Sequence, residues 1–177
     1  GHQATLGLMD GIFTLYGAYQ VGYGGRYGLV GGTFNLTEGA TARFGLEQGL
    51  FLSGSTVTGH GNLINTLNMD WSSGAITGTT RFSNESGGTL TISSGLVKTL
   101  QNAALHNSGS IVQTGLTGLA VEAGGQLNNT STGAFEFRSD AGISGTGSIS
   151  NSGVFSKIWD SGTSTVDAVF NNTFGSF

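Results

Sequence analysis

An apolar residue, any residue and an asparagine recur along the second half of the chain at a nearly constant interval. The phrase reads Phe82-Ser83-Asn84, Leu105-His106-Asn107, Leu127-Asn128-Asn129, Ile149-Ser150-Asn151 and Phe170-Asn171-Asn172, with steps of 23, 22, 22 and 21 residues between successive asparagines. A glycine follows each asparagine within a few residues (Gly87, Gly109, Gly133, Gly153, Gly175). A short alternating apolar stretch comes next, such as Thr89-Leu90-Thr91-Ile92 or Ala134-Phe135-Glu136-Phe137. A period held this tightly marks a chain that stacks one supersecondary unit on the next.

The physics of such a period is a coil of short parallel strands. Successive turns lie about 4.8 Å apart, and inward side chains pile on their equivalents in the next turn. Gly and Asn suit the corners because they tolerate positive φ. An asparagine at the same place in every turn can also donate its amide to the next, forming a file of side chains. We therefore expect an all-β fold, a right-handed parallel β-helix (β-solenoid) with rungs of about 22 residues. At that period the chain makes roughly eight rungs, a rod of about 35–40 Å.

Composition agrees. Thirty-three of 177 residues are Gly, only 9% are charged, and proline is absent. Proline would remove a ladder donor in each rung, and like charges stacked at strand spacing repel. Glycine at this density is costly in helices. A Greek-key sandwich accommodates the strands but does not demand a fixed period. No cysteine is present, which excludes disulfide scaffolds and thiolate metal sites. A net charge of -4 with six Lys+Arg leaves no basic footprint for nucleic acid. No apolar run is long enough for a membrane-spanning helix.

The stretch from Asn68-Met69-Asp70-Trp71-Ser72-Ser73-Gly74-Ala75-Ile76 to Val169-Phe170-Asn171-Asn172-Thr173 resembles the Gly/Asn-rich β-solenoid repeats of large bacterial secreted and surface proteins. The W-S-x-G-x-I-x-G, L-x-N-x-G-x-I and F-N-N phrases carry the resemblance. It implies an adhesin-like or autotransporter-passenger-like rod, located outside the cell or at its surface, and it implies no catalytic motif.

Residues 1–30 do not match these repeats and are expected to form a separate N-terminal strand segment, with the solenoid spanning 31–177. All four tyrosines lie between Tyr16 and Tyr27. Alternation places Phe13, Leu15, Tyr19, Val21, Tyr23, Tyr27 and Leu29 on one strand face. Solenoid ends present unpaired edges that proteins cap or cover. Two roles are open: this segment adds as a strand to another copy of the chain, or it caps its own solenoid. The sequence opens Gly1-His2-Gln3 and closes on a partial repeat, so we expect a piece of something longer or a subunit meeting a partner.

Chemical sites are sparse. Asp140 and Asp160 could stack about one rung apart and hold Ca2+ or work as acid and base, but Asp shortly before Gly is ordinary turn chemistry. His2, His60 and His106 are scattered. Lys98, Arg138 and Lys157 could support a polysaccharide-lyase-like wall, although solvated side chains account for them better. Trp71 and Trp159 read equally as sugar platforms or buried wall residues. The residues expected to matter are Asn84, Asn107, Asn129, Asn151 and Asn172. No catalytic residue, metal or cofactor is expected. The resulting expectation is a non-catalytic structural or adhesive protein, part of a surface filament built from copies of itself. A glycan-binding stalk is the alternative, and a polysaccharide-degrading enzyme the weaker one.

Overall fold

The computed structural model describes residues 4–21, 25–45 and 49–177. They form a parallel β-solenoid of about eight turns, with rungs of about 21 residues and no helix among the described residues. Three parallel sheets run the length of the coil. The first stacks β1 (Ala4–Met9), β4 (Gly25–Val30), β7 (Leu50–Ser53), β10 (Asn68–Trp71), β13 (Thr89–Ile92), β16 (Ser110–Gln113), β19 (Ala134–Phe137) and β22 (Val154–Lys157). The second stacks β2 (Ile12–Leu15), β5 (Thr33–Leu36), β8 (Ser55–Gly59), β11 (Gly74–Ile76), β14 (Lys98–Leu100), β17 (Leu119–Val121) and β20 (Ile143–Ser144). The third stacks β3 (Ala18–Val21), β6 (Thr41–Phe44), β9 (Asn62–Asn65), β12 (Arg81–Asn84), β15 (Ala104–Asn107), β18 (Gln126–Asn129), β21 (Ser148–Asn151) and β23 (Val169–Asn172). Single bridges from Ile143 to Val166 and from Val154 to Ser176 carry the winding into the last residues.

Strict alternation on four-residue strands puts two side chains inward per strand, and register turns these into columns. Leu50, Met69, Leu90, Ile111, Phe135 and Phe155 follow one another in the first sheet. Leu63, Phe82, Leu105, Leu127 and Ile149 do so in the third. All are buried. A fully buried side chain of this kind contributes about 1.5–3 kcal/mol, so the columns are the core. Phe135 stacks on Phe155 at 4.7 Å between ring centroids, extending the column in aromatic form. Where the backbone must turn left-handed with a neighbouring rung close by, glycine is obligatory. Gly59 has φ +109, and a Cβ there would collide with the Leu36 carbonyl.

Two expectations need correction. The run from Phe13 to Leu29 is not one strand face. Gly17, at φ +113, ends β2, and the chain winds on through β3 to β4. Phe13 and Leu15 thus lie on β2, Tyr19 and Val21 on β3, and Tyr27 and Leu29 on β4, while Tyr23 lies outside the described residues. These strands are the first rung and the start of the second in the same three sheets. The expected division at residue 30 falls inside a rung. Second, the repeating asparagines do not serve positive φ. Asn102 is the only described asparagine in that region. The repeating ones end extended strands and point inward.

Candidate functional site

Asn84, Asn107, Asn129, Asn151 and Asn172 occupy one register position of the third sheet. Each donates its amide Nδ2–H to the Oδ1 of the next: Asn84 to Asn107 at 2.7 Å, Asn107 to Asn129, Asn129 to Asn151 and Asn151 to Asn172 each at 2.8 Å. The same Nδ2 groups reach backbone carbonyls at the start of the first-sheet strand one rung further on, Ser110 O for Asn84, Ala134 O for Asn107 and Val154 O for Asn129. All but Asn172 are buried. The file begins one rung earlier than the repeat suggests, at Asn65, which donates to Asn84 at 2.7 Å. Its step of 19 residues lies outside the 21–23 spacing, although Leu63-Ile64-Asn65 carries the phrase. Phe44 holds the position before it, so Asn65 Oδ1 is buried without a partner among the described residues.

A second polar file lies where the first sheet turns into the second. This corner is one or two residues long in the early rungs, then swells to loops over 93–97, 114–118, 138–142 and 158–165. Long loops expose carbonyls that neither sheet pairs. Side chains from the strands and from the loops themselves supply the missing donors. Lys98 donates its ammonium to Ser93 O and to Thr117 O and Oγ1 (3.2 and 3.0 Å). Gln113 donates to Ala141 O at 2.6 Å, and Ser139 to Gly115 O at 2.7 Å. Lys157 donates to Ser139 O at 2.9 Å, to Asp140 Oδ1 at 2.7 Å and to Ser164 Oγ at 3.2 Å. Lys98 is completely buried, which overturns the expectation of a solvated side chain. Burial lowers its pKa, and the negative charge of Asp70 partly opposes that.

The remaining candidates separate. Trp71 is fully buried in the wall, whereas Trp159 is 65% exposed on the last corner loop. Arg138 lies over the Trp159 ring, 5.9 Å from its centroid, and is held by Glu136 through Nε and Nη2 at 3.1 and 2.7 Å. Asp140 pairs with Lys157, and Asp160 sits in a left-handed turn at φ +65. No group of three His, Cys, Asp or Glu is placed to hold a metal among the described residues. His60 bonds Thr79 Oγ1 at 2.6 Å. His106 lies on the outer face of β15, its pKa lowered first by burial and then by Arg81. No helix among the described residues is long and apolar enough to cross a membrane.

These features define a class, the parallel β-solenoids with an internal amide file. No protein-family model matches the chain, and no curated protein or solved structure is detectably similar to it. The resemblance to secreted surface solenoids therefore stands on the rung phrases.

Proposed function

We propose that this chain is a non-catalytic structural module of a bacterial extracellular or cell-surface filament, a rod that lengthens by adding rungs end to end. One observation carries the reading: the buried polar side chains are spent along the axis. The asparagine file bonds each rung to the next through six consecutive rungs, from Asn65 to Asn172. Such a device resists axial pulling, because every rung must break backbone and side-chain bonds together. It is also translational. From the third rung on, each rung repeats the amide of the one before it and stacks along parallel strand edges, which favours β-augmentation by another copy. The exposed apolar groups at the first rung, Ile12, Phe13, Tyr16 and Tyr19, would be covered by that contact.

Sedimentation velocity over a wide concentration range, with negative-stain images of the same samples, tests this. Rods in multiples of about 35–40 Å, the length of eight rungs, are expected. A single monomeric species at every concentration would refute assembly.

A further inference from the structure

The structure assigns a second property to this rod: a binding platform for a neutral pyranose sugar, built on Trp159 and the corner loop 158–165.

Two observations single out this ring. Trp159 presents most of its surface to solvent, while the other tryptophan, Trp71, is fully enclosed. Its loop is also pinned. Asp160 holds a left-handed backbone directly after the ring, Gly162 packs so closely on the Asp140 carboxylate that a Cβ would collide, and Ser164 Oγ donates to Ser139 O at 2.9 Å. Arg138 occupies one side of the ring and is itself fixed by Glu136. An exposed indole in a set orientation loses little entropy on binding, and its apolar face with a polar surround suits a ligand that is apolar on one side only.

A pyranose has that character: one face of axial C–H groups and a rim of hydroxyls. The rim here would meet Arg138, whose Nη1 is not used by Glu136, as donor and Asp140, with half its side chain exposed, as acceptor. Charge selects among sugars. Arg138 is neutralised by Glu136 and Lys157 by Asp140, and Asp160 adds an unmatched carboxylate. The platform therefore disfavours uronates and sulfated sugars. An apolar peptide is the competing occupant, with Ile158 exposed beside the ring. The ion pairs around the indole favour hydroxyls.

The test is 1H–15N NMR of the full chain with β-1,4-linked tetrasaccharides of glucose, mannose and galactose, and tetragalacturonate as the charged comparison. With two tryptophans, the spectrum holds two indole signals, assigned by Trp159→Phe. At least one neutral tetrasaccharide should shift the Trp159 signal saturably and leave that of Trp71 in place. Trp159→Ala should weaken binding by about tenfold or more and Trp159→Phe by no more than about threefold, where tenfold corresponds to about 1.4 kcal/mol. Unchanged circular dichroism would show that both variants fold. The proposal is overturned if no neutral tetrasaccharide shifts the signal, if affinity survives Trp159→Ala, or if tetragalacturonate or an apolar peptide binds more tightly.

Discussion

Asn107→Ala removes the centre of the amide file, and its cost can be worked from the bonds. Asn107 Nδ2 donates to Asn129 Oδ1 at 2.8 Å and to Ala134 O at 2.9 Å, and its Oδ1 accepts from Asn84 at 2.7 Å. All three lie in a fully buried position. At about 1 kcal/mol net for each bond the loss is about 3 kcal/mol, and leaving a buried acceptor such as Asn129 Oδ1 unpaired adds about 1–2 kcal/mol. Asn84 Nδ2 keeps Gly88 O and Ser110 O, which limits the damage on that side. The expected total of about 3–5 kcal/mol is a large share of the 5–15 kcal/mol typical of a domain. Asn172→Ala is the internal control. Asn172 is exposed, water replaces its bonds, and the cost should stay below about 1 kcal/mol. Urea unfolding followed by circular dichroism measures both, with an unchanged slope confirming the same unfolding reaction. Asn107→Asp adds a pH signature. A buried carboxylate would face the oxygens of Asn129 and Ala134, so the folded state raises its pKa. Stability should be highest when it is protonated and fall as pH rises above the ordinary Asp value of about 3.9. If Asn107→Ala costs no more than Asn172→Ala, the file does not hold the rungs together and the structural argument fails.

Three further outcomes are expected. Lys98 has a lowered pKa, so the folded state binds its proton less well, and its contribution to stability should rise with pH toward the ordinary 10.5; Lys98→Met should flatten that slope and cost about 2–4 kcal/mol, since the carbonyls of Ser93 and Thr117 lose their donor. His106 should titrate below the ordinary 6.5 by NMR, and Arg81→Gln should move it back only in part, because burial is the larger cause; full recovery would reverse that ranking. Gly59→Ala should be severely destabilising because its Cβ meets the Leu36 carbonyl, whereas Gly39→Ala, also at positive φ but in open space, should cost only about 1 kcal/mol; equal melting temperatures would contradict the close stacking at Gly59.

The legible part of this molecule is the part where one rung predicts the next. The phrase ending in Asn107, Asn129 and Asn151 recurs at 22 residues because those rungs have equal corners, and the solenoid with its file follows directly. Legibility fails where corners change length. Asn65 was hidden by a step of 19 residues. The burial of Lys98 depends on the carbonyl of Thr117 in the following loop, which no local pattern around Lys98 reveals. Alternation also continues across a corner as readily as along a strand, so Phe13 to Leu29 reads as one face although Gly17 turns the chain within it. The asparagine column itself explains the contrast between the two ends of the coil. From Asn65 onward, the amides satisfy inward carbonyls where the third sheet turns back into the first. In the second rung Phe44 occupies the column instead, and there the interior opens into a cavity of about 260 Å3 lined by Leu8, Tyr19, Tyr27, Phe34, Phe44 and Leu50. An apolar ring fills that corner without bonding the carbonyls, so no amide joins the rungs there, and sheet hydrogen bonds are supplemented only by scattered hydroxyls such as Thr37 Oγ1, which donates to Leu15 O at 2.9 Å. Amide exchange should accordingly be slowest between Asn84 and Asn151 and faster in β4 to β6, a gradient set by which residue stands in a single column.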